Sequence, residues 1–559
     1  MCRRVVLGVV AFLLAAAAGH AETRTAGSGM VVSEHRLASQ AGRDVLAAGG
    51  NAVDAAIATG FALAVTHPSA GNIGGGGFMV IRFADGTATA IDFREVAPLA
   101  AHPEMWLDDS GAYTHQTHHN SHQAVGVPGT VSGFDKAHRL YGTAAWEQLL
   151  EPAIHLAAAG FALSERLAHS LARFVDRHAQ YEATVAQFSR GGLPLAPGDT
   201  LRQSDLGASL RRIRADRSDG FYAGETARLI VAEMQRGDGL ITATDLTRYQ
   251  ARERTPIHGT YRGYDILGMP PPSSGGVAIA TMLNILEAYD LRSLGHNSPG
   301  YIHLLTEAMR RAFRDRATWL ADADVVDVPI HRLTNKKHAD WLRRDLLPRQ
   351  ASVSAPTDVI TAAEGTETTH FSVVDAQGMA VAVTYTLEGG YGSGIVVPGA
   401  GFLLNNEMGD FNAAPGLTDE RGLIGTTPNL ARPGQRMLSS MSPSILSKDG
   451  RLVAVLGSPG GRTIINTVLQ LVLNLVDFDM SIDAAVAAPR IHHQWLPDVL
   501  RLEAILADDD LAGALAGMGH TVKVRGTQGL AHSIGIDALT GERIGAADPR
   551  NPDASASGH

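Results

Sequence analysis

A mixed α+β fold is predicted for this chain by three observations. Helical periodicity dominates its first part, a polar aperiodic segment follows, and alternating β-branched and polar residues begin directly after that segment. The 559 residues are 45% hydrophobic and 19% charged, a globular composition with ample length for a large core. Lys and Arg number 47 against 57 Asp and Glu, a net charge of −10, with no run of basic residues. Nucleic acid and anionic membrane surfaces are thereby excluded as partners, because both require clustered positive charge.

In chain order, Arg3 and Arg4 precede an apolar run from Val5 to Ala18 and the small residues Gly19 and Ala21. Residues 1–21 read as a secretory signal cleaved after Ala21, since the apolar run falls short of the roughly 20 residues of a membrane span. Cys2, the only cysteine, lies inside it, so the remaining 538 residues, of net charge −12, hold no thiol and no disulfide. The expected product is soluble, periplasmic or secreted, and free of a membrane anchor. Helices are predicted over 38–48, 52–65, 145–160, 225–235 and 277–288, with Gly or Pro at many ends. Strands 78–83 and 88–93 flank the turn Ala84-Asp85-Gly86. Residues 350–367 are polar, small and aperiodic, and read as an exposed, mobile segment. Next comes a hairpin around Ala376-Gln377-Gly378, in which paired residue numbers sum to 754 and Thr368 stands opposite Thr386. Further glycine-rich β segments and helices over 464–475 and 482–487 complete the chain.

Conventional nucleophile and phosphate signatures are missing: no GxSxG, HExxH or GxxxxGK[ST] occurs, and no cysteine remains after residue 21. The run Asn72 to Gly77 (NIGGGG) reads as glycines packed against other backbone, not as a phosphate cradle. His115, His118, His119 and His122 have a spacing that zinc or copper tolerates, yet no cysteine or fixed carboxylate accompanies them. A polar loop with incidental histidines is the expectation there.

The informative stretch is Thr368-Thr369-His370-Phe371-Ser372-Val373-Val374-Asp375. Here the sequence resembles the γ-glutamyltranspeptidase family, N-terminal nucleophile hydrolases whose small subunit starts at the first threonine of a TTH[FY]SVVD run. The likeness spans nearly the whole chain after the signal: NIGGGGFMV at 72–80, DFREVAP at 92–98, VPGTVSGF at 127–134, MPPPSSGG at 269–276, residues 403–411, LSSMSP at 438–443, GSPGG at 457–461, APRIHHQWLP at 488–497 and ADPR at 547–550. Ordered agreement at so many sites carries a specificity that no single motif has.

The resemblance implies a four-layer αββα sandwich built from two autoprocessed chains, a large subunit 22–367 and a small subunit 368–559, associated as a heterodimer. It implies self-cleavage between Glu367 and Thr368, which frees an α-amino group to act as base for the threonine hydroxyl. Thr386 is expected to orient that hydroxyl, and Gly460 and Gly461 to hold the oxyanion. Arg94, Ser439 and Ser440 match the family's clamp for the donor α-carboxylate, and Glu407 and Asp410 its acceptors for the α-ammonium, with Glu388 a further acceptor. The implied reaction moves a γ-glutamyl group from glutathione or a related amide to Thr368, then to water, an amino acid or a peptide, with no metal or organic cofactor. Two alternatives share the sequence: a cephalosporin (glutaryl) acylase, which gains by losing the acidic acceptors, and a non-catalytic periplasmic γ-glutamyl-peptide binding protein, which stays one unprocessed chain. Three positions depart from the family pattern: Arg421 in the lid loop 415–425 where an aromatic is common, Met437 in place of a proline, and Gly409 in place of an aspartate.

Overall fold

Both faces of the strand Glu367–Val374 are buried, and this sets the architecture: Phe371 and Val373 enter one apolar core while Val374 enters another. A strand buried on two sides needs a layer on each. The computed structural model describes residues 21–355, 367–417, 419–421, 423 and 425–559. The expected signal, apart from Ala21, lies outside them, as do residues 356–366 of the segment before Thr368 and positions 418, 422 and 424 of the lid loop.

Two seven-stranded antiparallel sheets stack on each other. The first runs in the order Ser555–Gly558, Met30–Ser33, Glu367–Val374, Ala380–Glu388, Gly76–Arg82, Ala88–Phe93, Arg252–Arg254. The second runs Glu22–Ala26, Arg543–Ala547, His532–Ile536, Arg451–Leu456, Ser444–Lys448, Tyr264–Gly268, Ile257–Tyr261. Helix Ala52–Thr66, buried along its whole length, packs on the outer face of the first sheet with Trp146–Ala159 behind it. Gly275–Leu286, backed by Pro299–Trp319 and Thr463–Val476, covers the outer face of the second. The expected four-layer αββα order is therefore present. An Asn51 capping box starts Ala52–Thr66, its side chain accepting the amides of Val53 and Asp54 at 3.0 Å each.

The predicted helices and strands appear with no end moved by more than two residues. The hairpin register is as expected: Phe371 pairs with Val383, and Ser372 with Ala382. The reading of 350–367 as exposed needs correction where its start is described. The amide of Ser352 donates to Glu307 at 3.1 Å, and that of Ser354, a buried residue, to Asp498 at 2.8 Å, so this end is tied to the body. Among the described residues no helix is long and apolar enough to cross a membrane.

Candidate active site

Thr368 sits where the hairpin register slips. Thr369 pairs with Tyr385 but Glu367 pairs with Glu388, so Thr386 and Leu387 of the facing strand bulge opposite Thr368. Bulges re-aim side chains, and Thr368, 6% exposed, lines a cavity of about 340 Å³. Its hydroxyl points to Oγ1 of Thr386 at 3.4 Å, and that oxygen accepts the Glu388 amide at 2.8 Å. The glycine run fixes this pair from behind. Asn72 donates to the Thr386 carbonyl at 2.8 Å, and a Cβ on Gly75 would stand 2.1 Å from the same oxygen. Close backbone approach is what these glycines provide, as expected.

Gly460 lines the same cavity as Thr368. Gly460 and Gly461 have φ of +130° and +56°, the region that glycine enters without penalty, and lead into helix Thr463–Val476. Among the described residues neither amide has an acceptor in the chain, and both stand at the positive end of that helix. Oxyanion stabilisation draws on unsatisfied backbone donors of this kind.

Arg94, directly after strand Ala88–Phe93, is fully buried among acids. Its Nη1 lies 2.5 Å from Glu407 Oε2 and 3.6 Å from Glu95 Oε2, and its Nη2 bonds Asp410. Burial pushes the Glu407 carboxyl well above the usual carboxylate range against the pull of Arg94, with repulsion from Glu95, Asp410 and Glu388 adding to it. Burial likewise raises Glu95, up to about 8. Beyond these ion-pair contacts and the approach of His119 to Glu388, the carboxyl oxygens of Glu95, Glu388 and Glu407 are buried without a hydrogen bond of good geometry among the described residues. One guanidinium among four carboxylates leaves an excess of buried acceptors, which a second cation rich in N–H groups would satisfy.

Ser439 and Ser440 lie on the loop that Arg94 reaches through the carbonyls of Met437 at 3.4 Å and Leu438 at 3.5 Å. Ser440 Oγ accepts from Arg316 Nη2 at 3.0 Å, and the same guanidinium donates from Nε to Ser274 at 2.9 Å. Arg316, buried on the long helix Pro299–Trp319, was not singled out from sequence, nor was Glu95 beside Arg94. The adjacency of Glu95 to a clamp arginine was the available signal; for Arg316 no local motif existed.

The histidines are not an incidental polar loop. His115–His119 is a short helix with His118 and His119 buried. His118 stacks on Trp106 at 4.3 Å and contacts the Met408 carbonyl at 3.0 Å. His119 Nδ1 is 3.5 Å from Glu388 Oε1. A Cβ on Gly409 would lie 2.4 Å from that same Nδ1, so the imidazole fills the space that a side chain at 409 would need. Among the described residues no three His, Cys, Asp or Glu side chains converge as metal donors. Met437 is buried with Trp106, Met408 and Phe411. Arg421 pairs with Asp419 at 2.7 Å on the exposed lid loop.

Stacked antiparallel sheets between helices, with a threonine at the head of a central strand, define the N-terminal nucleophile hydrolase fold. Comparison with known proteins narrows this. The family described as gamma-glutamyltranspeptidase matches residues 38–558. The chain is 46% identical to a glutathione hydrolase proenzyme of Escherichia coli (strain K12), over 95% of this chain and 92% of that one. It is 41% identical to the acylase ACY 1 proenzyme of Pseudomonas sp. (strain SE83), over 88% and 87%. Cephalosporin acylase from Bacillus halodurans, a solved structure, superposes with a TM-score of 0.85 at 26% identity over 99% of both chains. The chain belongs to the γ-glutamyltranspeptidase family.

Proposed function

We propose that the protein is a self-processing γ-glutamyl hydrolase and transferase that acts on glutathione and related γ-glutamyl amides. The carrying observation is the excess of buried carboxylate oxygens over the donors that the one guanidinium of Arg94 supplies. A γ-glutamyl end brings an α-ammonium to fill them and an α-carboxylate for Arg94, Ser439 and Ser440. A glutaryl end brings only the carboxylate and leaves the acids unsatisfied, which favours the transferase over the cephalosporin acylase.

Processing comes first. Thr368 Oγ attacks the Glu367 carbonyl carbon, the peptide C–N bond breaks as its nitrogen takes the proton, and water hydrolyses the resulting ester. The products are 22–367 and 368–559, of 346 and 192 residues. The freed α-amino group takes the hydroxyl proton in each later turnover. Thr386 holds the hydroxyl in line, and Gly460 and Gly461 bind the oxyanion at the helix terminus. Collapse expels the amine and leaves an ester on Thr368, which water or an amino-acid or peptide amine then opens. Glu407, Asp410 and Glu388 accept from the ammonium and fix the donor. The apolar leader is read as an export signal, which places the enzyme in the periplasm or outside the cell.

The test is a denaturing gel of the purified protein beside rates on γ-glutamyl and glutaryl anilides. Two bands and a strong preference for the γ-glutamyl anilide are expected. A single uncut chain would favour the non-catalytic binding protein, and preference for glutaryl the acylase.

A further inference from the structure

The Thr368 cavity continues into a second basin of about 390 Å³. His67, Ser69 and Arg166 line both, and Arg173, Arg177 and Tyr391 line the basin alone. Helix Glu165–Arg177 forms one wall. Arg166, Ser170, Arg173 and Arg177 recur at helical spacing, so they share a face, and Arg173 stands about 10 Å beyond Arg166 along the axis. The opposite wall is braced: Tyr391 stacks on Phe174 with centroids 4.0 Å apart and donates to the Ser170 hydroxyl at 2.7 Å. It does so with φ of +68°, a conformation that persists only where surroundings hold it. Tyr391 is three residues from Glu388, so one short loop joins the acid cluster to this basin.

Three guanidiniums face one lining carboxylate, Asp553, which already accepts from Ser164 at 2.8 Å. Arg166 reaches Asn551 at 2.6 Å, while Arg173 and Arg177 have no ion pair among the described residues. The imidazoles of the wall add no charge near neutrality. Burial lowers His67, and burial, then His67 and Arg36, takes His35 down to about 3. Glu34, which lines the first cavity, is turned to His532 at 3.3 Å.

We propose that this basin is the amine-side subsite, and that it selects leaving groups and acceptors carrying more than one carboxylate, such as acidic peptides. The reading rests on the γ-glutamyl transfer proposed above. By microscopic reversibility the amine expelled on forming the Thr368 ester and the amine that later attacks it occupy one place, so a single basin governs both choices. The acid cluster takes the γ-glutamyl end, which leaves the side of Gly460 and Ser69 for the amine. Arginine is suited to this work, since its planar fork matches carboxylates.

The test compares kcat/KM for γ-Glu-Glu-Glu and γ-Glu-Ala-Ala in the wild type and in the double variant Arg173→Gln/Arg177→Gln. The wild type is expected to favour the acidic donor about tenfold at low salt, the worth of two partly exposed charge pairs. The preference should shrink steeply in about 0.5 M NaCl as screening shortens the reach of the charges. The variant should lose the preference while its gel pattern stays that of wild type. A wild-type ratio within twofold of one, or a ratio unmoved by the substitutions, overturns the subsite alone. No turnover of either peptide or of a γ-glutamyl anilide overturns the transfer reading and the subsite with it.

Discussion

Replacing Gly409 by alanine tests how the acid cluster is packed. The added Cβ would stand 2.4 Å from His119 Nδ1, 2.7 Å from its Cε1 and 3.2 Å from Glu388 Oε1. Ordinary contact needs about 1 Å more at the imidazole, and the ring cannot retreat. It stacks on His115 at 4.3 Å and leans on His118 at 4.4 Å, which is itself wedged against Trp106 and held by Tyr113 at 3.0 Å. Displacement therefore passes to Glu388, whose amide fixes Thr386 at 2.8 Å. Overpacking of this kind costs about 1–3 kcal/mol, and if half of it falls on substrate binding, KM for a γ-glutamyl anilide rises by about twofold to tenfold. His119→Ala removes the two nearest atoms and leaves only the 3.2 Å contact, so the double variant Gly409→Ala/His119→Ala should have a KM within about threefold of His119→Ala alone. Steady-state kinetics on the four proteins of the cycle decides it. A single variant with wild-type KM, or a double variant as impaired as Gly409→Ala, would refute the reasoning.

Thr368→Ala should yield one uncut chain without activity, because one hydroxyl serves both self-cleavage and acyl transfer; two bands on a denaturing gel would remove Thr368 from both roles. Asp410→Asn should weaken γ-glutamyl donors relative to glutaryl ones by about 1.5–3 kcal/mol, the worth of a hydrogen bond to a charged group; an unchanged ratio of kcat/KM contradicts the assigned pocket. Burial raises the Glu307 carboxyl, but Arg310, Ser352 and Arg311 outweigh it and bring it down to about 2. Because the folded value lies below the unfolded one, Glu307 stabilises the protein by about 3 kcal/mol above pH ~4.5 and loses that contribution as pH falls toward 2. Urea unfolding at pH 6 and 2.5 should show a larger acid loss in wild type than in Glu307→Gln; equal losses would speak against it.

The hairpin and its register were legible because turn residues and strand alternation are local signals, and counting from Gln377 places Thr386 beside Thr368. The bulge of Thr386 and Leu387 opposite Thr368 was not, since it depends on how Glu388 meets Glu367 across the ladder. Family likeness supplied Arg94, Glu407 and Asp410 as separate ends of a clamp, whereas the fold sets them in direct contact. The contact that His119 makes, and the place of Arg316 altogether, were illegible for one physical reason. Each acts through a partner more than a hundred residues away, Glu388 and Ser440, and no periodicity or motif encodes such a distance.

Neither sheet belongs to one side of the Glu367–Thr368 bond. Met30–Ser33 lies between Ser555–Gly558 and Glu367–Val374, and Tyr264–Gly268 pairs with Ser444–Lys448. Under the self-cleavage proposed above, the molecule would retain its contacts but no longer have a single thread to guide their assembly. Unfolding then releases two partners whose reunion is second order in concentration, and each alone exposes unpaired strand edges. The enzyme would thus be made once, from the intact precursor, and its working lifetime would be set by how slowly it comes apart rather than by any equilibrium with its separated halves.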